Sequence, residues 1–236
     1  MRWWQECDEY RVQVAAYRGK DARDALVVYA ATLLAMLALG IYHRVAPEWP
    51  GNAAAVAIGL IELVVVGGLI AILLRRRGLS AAHAGFSRTH LGRSLIAGLV
   101  LTAIGLGITR LIGMADGYVP PFEPYWLTYA LPYYLIAIGF TEELIFRGYM
   151  APRIESVFTK RWKGTAVVGA LFAVSHLPFR AVTWTGSLGE FLLDAAIILP
   201  ITFGWHLVLA WLFRKWNSLA APTLVHFAIN SGSFLM

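Results

Sequence analysis

Seven long apolar stretches, roughly 24–45, 53–74, 94–114, 126–147, 164–180, 190–213 and 218–236, constrain this chain before any other feature does. Crossing a bilayer's hydrocarbon core takes about 20 apolar residues of helix, and a spanning segment has to satisfy its own backbone hydrogen bonds. With 58% hydrophobic and only 14% charged residues, 236 residues cannot clothe a soluble domain. The chain therefore reads as all-α, a polytopic transmembrane helix bundle. A polar segment, 1–23, precedes a single membrane domain over 24–236. That segment lacks the apolar run of a secretory signal. Within it Trp3, Cys7, Tyr10, Val14 and Tyr17 recur at helical spacing, which fits a short helix lying either on lipid or on the protein itself. Cys7 stands alone, so an internal disulfide and a thiolate metal cluster are excluded.

Orientation follows from the cations. With the N-terminus cytoplasmic, the inner segments 1–23, 75–93, 147–163 and 214–215 hold 17 of the 20 Lys+Arg, leaving Arg44, Arg110 and Arg180 outside. A shift by one span would invert the bias. The net charge of +6 thus reads as loops facing anionic lipid, and not as a nucleic-acid surface. Gly67, Gly68, Gly98, Gly105 and Gly107 are expected to let helices approach closely.

An ionised side chain in the bilayer core costs at least about 2.5 kcal/mol, so each one needs a reason. Three apolar runs of the C-terminal half carry such groups: Glu142-Glu143 with Arg147, Phe172 with His176, and His226 with Asn230. On a helix Glu143 and Arg147 are i,i+4 neighbours and can pair, whereas Glu142 points about 100° away. Phe172 and His176 share a face, as do His226 and Asn230. Glu142 lies eleven residues from Arg153, His176 thirteen from Lys163 and His226 eleven from Lys215, which at about 1.5 Å per residue sets all three roughly 16–20 Å from their cytoplasmic anchors. One shared site is expected. Glu62, His206 and Asp194 have no partner in this scheme and read as packing or helix-helix hydrogen-bonding residues.

At these residues the chain resembles the CAAX protease and bacteriocin-processing family, also called the Abi or type II CAAX-prenyl-endopeptidase family, of glutamic-type intramembrane proteases. Glu142-Glu143-x-x-x-Arg147, Phe172-x-x-x-His176 and His226-x-x-x-Asn230 match its three motifs in order, and the likeness covers about 126–236. The resemblance implies seven or eight spans and an endopeptidase acting near the membrane end of a small protein or peptide. It implies Glu142 as general base on a water and His176 as the group orienting that water. His226 and Asn230 would face the oxyanion, and Arg147 would hold Glu143. CAAX-type proteins, peptide precursors and sorting tags are the substrate classes implied, and a bacterial cytoplasmic membrane the setting.

Two other function classes use the same residues. A silent immunity or scaffold protein would keep them as packing, though packing alone does not call for Glu, His, His and Asn at one depth. A proton-coupled transporter would use them as a relay, and would show flux without cleavage. Zinc is the other mechanistic reading: Glu142, His176 and His226 make a His₂Glu set with Glu143 as base. Glu143 is however spaced to Arg147, and Asn230 is a poor zinc ligand but a good oxyanion donor. The expectation is a glutamate mechanism with no cofactor.

Overall fold

The computed structural model describes residues 5–45, 51–117 and 126–231. Trp3 and the end of the seventh apolar run, 232–236, lie outside the described residues. Apart from turns and an isolated bridge between Phe86 and Ser218, the described chain is helical. We label the helices α1 (Asp8–Ala16), α2 (Gly19–Val45), α3 (Gly51–Arg76) and α4 (Leu91–Ala115), with a 3₁₀ turn at Ala81–Ala84 between the last two. A continuous run, α5, is built from Trp126–Phe140, Thr141–Glu143, Leu144–Met150 and Ala151–Glu155. Then follow α6 (Arg161–Ser175), α7 (Leu177–Thr183), α8 (Leu188–Trp216) and α9 (Ala220–Ser231).

Five of the seven expected runs form helices long and apolar enough to cross a membrane: α2, α3, α4, α8 and the α6–α7 pair. Their outer faces match that setting. Leu34, Val64, Ile96, Leu111 and Leu193 are 64–71% exposed, which would invite aggregation in water and suits contact with lipid. The fourth run is continuous but changes pitch. Trp126–Phe140 and Leu144–Met150 are wound as π-helix around a short α-helical insert. Pro132 removes a backbone donor inside the first segment, one of the established causes of such distortion. The Thr141 hydroxyl donates to the Ile136 carbonyl five residues back, at 3.2 Å. The seventh run is described as a helix of 12 residues.

Helix α5 is the axis of the bundle. Ile145, Phe146, Arg147, Tyr149 and Met150 are at most 1% exposed, so the helix is covered on all sides, as a central element must be. Gly98 brings α4 against α9: a Cβ there would stand 2.9 Å from the Ala221 Cα. Gly67 faces Leu144, and Gly105 faces Ala228, both at ordinary contact distance. Gly68 and Gly107 differ from expectation, since their Cβ positions open onto empty space.

The N-terminal segment lies on the protein. Tyr10 and Val14 are buried in the core that α5 dominates, and the Tyr10 hydroxyl donates to Glu155 Oε2 at 2.9 Å. Arg214 also binds Glu155, Arg161 binds Glu6, and the Cys7 amide donates to the Arg214 carbonyl at 3.0 Å. Arg153 is stacked between the rings of Tyr17 and Tyr149, 4.5 and 3.7 Å from their centroids. So the basic end of the bundle is tied across by α1, α5 and α8.

Candidate active site

Glu142 and Glu143 fall in the α-helical insert of α5. Arg147 Nη1 donates to Glu143 Oε1 at 2.9 Å with both side chains fully buried, the pairing that i,i+4 spacing predicts. Glu143 also does something its spacing does not announce. The same Oε1 lies 2.7 Å from His226 Nδ1, 83 residues along the chain. Held there, the ring turns Nε2 towards Glu142, 3.6 Å from Oε2. That oxygen is buried and has no hydrogen-bond partner. The two carboxylates therefore divide: Glu143 anchors a cation and a ring through Oε1, and although each keeps a buried Oε2 without a hydrogen-bond partner, that of Glu142 is the one set beside His226 Nε2.

His176 sits at the joint between α6 and α7, where the fifth run breaks instead of continuing to 180. Pro178 lies at the start of α7, and its ring cannot follow a continuing helix. The His176 amide turns to the Ala173 carbonyl at 3.2 Å. The Phe172 carbonyl accepts instead from Ser175 Oγ at 2.7 Å and from His176 Nδ1 at 2.9 Å. Since a carbonyl can only accept, Nδ1 carries a proton and the imidazole is fixed at the helix end.

Phe172 is the hub of the arrangement. The Arg147 guanidinium lies 4.2 Å from its centroid. The rings of His176, His206 and His226 stand 5.0, 5.9 and 6.3 Å from it. One buried ring thus sets the spacing of a cation and three imidazoles.

Helix α9 is placed by its N-terminal turn. Asn217 ends α8 at φ 46°, a left-handed conformation that Asn tolerates. The Leu219 amide then donates to the Gly85 carbonyl at 3.2 Å, and the Ala221 amide to Ser94 Oγ at 2.9 Å. Gly85 itself has φ 87°, and a Cβ there would meet Phe213 and Leu219 below 3.0 Å, so glycine alone fits. Asn230 follows one turn after His226 on the same helix, half-buried.

The remaining candidates separate. Asp194 pairs with Arg180 at 2.8 Å. His206 is fully buried against Phe172 and Gly169, with neither ring nitrogen hydrogen-bonded. Glu62 carries an unpartnered buried oxygen on α3, which packs against the insert Thr141–Glu143. Sequence spacing gave no sign of this, because α3 and α5 meet only in the fold.

A cavity of 1380 Å³ opens beside the site between the basic end of α1, α4, α5 and α9. Its lining includes the polar Gln13, Ser87 and Asn217, the apolar Leu95, Leu135 and Leu224, and Phe140 and Thr223. Those last two are chain neighbours of Glu142 and His226. Among the described residues no three His, Cys, Asp or Glu side chains converge as a metal-holding group.

Comparison with curated proteins and with solved structures gave no match. Residues 124–232 match the family described as type II CAAX prenyl endopeptidase Rce1-like. The match spans the helices that carry Glu142, His176, His226 and Asn230. With several helices apolar and long enough to cross a bilayer, the chain is an integral membrane protein, and its stretch 124–232 is similar to the Rce1-like type II CAAX prenyl endopeptidases, a family of proteases.

Proposed function

We propose that this protein is an intramembrane endopeptidase in which Glu142 activates water to hydrolyse a peptide bond near the membrane end of a small protein or peptide. The observation that carries the reading is the buried, unpartnered Oε2 of Glu142, 3.6 Å from His226 Nε2. Both atoms can bond one water molecule there. Glu142 takes the proton as the water oxygen adds to the carbonyl carbon. His226, in its imidazolium form, donates to the developing oxyanion from Nε2 while Glu143 holds Nδ1. Asn230, one turn on, is the second donor. His176, fixed through Nδ1, orients the water. Collapse of the intermediate breaks the C–N bond, and the proton held by Glu142 passes to the leaving amine.

No metal enters this scheme. Arg147 holds Glu143 in place, so Glu143 serves as a support and not as a base. The substrate reaches the site from the cytoplasm through the cavity lined by Phe140 and Thr223. The charge asymmetry of the loops supports a cytoplasmic N-terminus, and the composition supports a bacterial cytoplasmic membrane.

The test is product mass spectrometry on membranes expressing the wild type beside Glu142→Ala. Peptide products with the wild type alone, undiminished after prolonged chelation, are the expected result. Identical products from both would overturn the role of Glu142. Loss on chelation with restoration by zinc would make Glu142 a ligand. Substrate flux into liposomes without cleavage would favour a transporter.

A further inference from the structure

Glu62 lies outside the family match, in a helix that otherwise presents apolar groups to lipid and to α5. On α3, Gly59, Glu62, Val66 and Ile70 recur every three or four residues, and Val66 and Ile70 are 0% and 2% exposed. Glu62, itself half-buried, lies on the same stripe. A Cβ on Gly59 would stand 2.7 Å from the Ala137 Cβ, and one on Gly67 would stand 3.7 Å from Leu144 Cδ2. These two contacts run α3 alongside α5 in the same direction. They set Glu62 level with the stretch between Ala137 and Leu144, which contains Glu142.

The chemistry at that level is unusual. Glu62 Oε1 is buried without a hydrogen-bond partner, and so is Glu142 Oε2. Helix α3 packs against the short insert Thr141–Glu143 that carries Glu142. An unsatisfied carboxyl in an apolar seam is expensive, and a leucine of similar size would remove the expense. Two carboxyls brought together away from water are stable as a pair when one proton lies between them.

We propose that Glu62 is a positioning residue of the reaction centre: its carboxyl, in the acid form, donates to Glu142 and holds that carboxylate turned towards the water beside His226. This rests on the reading of Glu142 as the base. Glu62 makes no contact with the substrate. It acts by fixing the orientation of the group that does, which affects the catalytic step and leaves binding alone.

The experiment uses the full chain, purified in detergent, with a substrate found by the mass spectrometry described above. Glu62→Leu, Glu62→Gln and Glu142→Gln are compared for folded yield, Tm, kcat and KM. Glu62→Leu is expected to keep or raise Tm while kcat falls at least about tenfold at a KM within about twofold of wild type. Glu62→Gln, whose amide can donate in place of the acid, is expected to recover most of that kcat. Wild-type kcat in Glu62→Leu, a loss that follows a fall in Tm or folded yield, or equal loss in the Gln variant would each overturn the proposal. Glu142→Gln separates the two levels. If it is inactive while Glu62→Leu turns over normally, this inference alone fails. If it cleaves like the wild type, Glu142 is not the base and the inference falls with it.

Discussion

His226 reaches across from α9 to place Nδ1 2.7 Å from Glu143 Oε1 on α5. That bond ties the last described helix to the bundle axis and fixes which ring nitrogen is left for chemistry. It also loads one buried carboxylate with two partners, because Arg147 uses the same oxygen. The second of two adjacent glutamates is committed to structure through Oε1, and in the proposed mechanism the first does the chemistry.

Glu143→Gln and Glu142→Gln are therefore expected to fail differently. Without its carboxylate partner, buried Arg147 is an uncompensated charge, which costs about 3–5 kcal/mol. Glu143→Gln should lose folded yield by size-exclusion chromatography and, in what survives, should lose control of His226. Glu142→Gln should elute like the wild type with turnover down at least about a hundredfold. Full yield with equal loss of activity in both would contradict this division.

Phe172 supports a guanidinium and three imidazoles at once, so its removal has two separable effects. Phe172→Ala opens a cavity and is expected to cost about 3–5 kcal/mol, seen as a lowered Tm. Phe172→Leu fills more of the space but lacks a flat ring. It is expected to fold with a reduced kcat, since Arg147 and His176 lose the surface that spaces them. Unchanged kinetics in the leucine variant would reduce Phe172 to simple filling.

Cys7 provides a pH-dependent readout of α1 docking. Burial, aided by the nearby Glu9 and Asp8 charges, pushes its thiol above the ordinary value. A raised pKa means that the folded state holds the proton longer than the unfolded one. The corresponding stability is present below the unfolded pKa and is lost as pH rises through the folded value. Because the thiolate is the reactive form, iodoacetamide should modify Cys7 slowly at neutral pH and faster in urea. Its rate in the folded protein should rise only at alkaline pH. Equal rates with and without urea at pH 7 would show α1 undocked.

Orientation can be read on a Cys7→Ser background with single cysteines at Ser80, Asp116 and Lys160. An impermeant maleimide is expected to label position 116 on intact cells, and positions 80 and 160 only after permeabilisation. Labelling of position 160 from outside would reverse the assignment of every span.

Much of this arrangement was legible in the sequence where it depends on local spacing. The apolar runs locate the helices, because length and hydropathy are properties of the segment itself. The i,i+4 rule gives the Glu143–Arg147 pair, and it puts Phe172 beside His176. What depends on how distant segments meet was not legible. His226 on Glu143 is such a contact, and the packing of α3 against the insert Thr141–Glu143 is another. The break before Pro178 had a local signal, but an apolar run through 164–180 concealed it. The π winding of α5 hides behind the same hydrophobicity that an α-helix would have. The docking of α1 on the protein, in preference to lipid, was decided by Glu155 and Arg214, which lie far along the chain.

That last contact has a consequence for how the protein is made. Tyr10 and Cys7 leave the ribosome long before their partners Glu155 and Arg214, which are separated from them by more than half the chain. Translation proceeds from the N-terminus, so this cluster can close only after the segment bearing Arg214 has emerged and inserted. The docking of α1 therefore waits for α5 and α8, and reports that both are already in place.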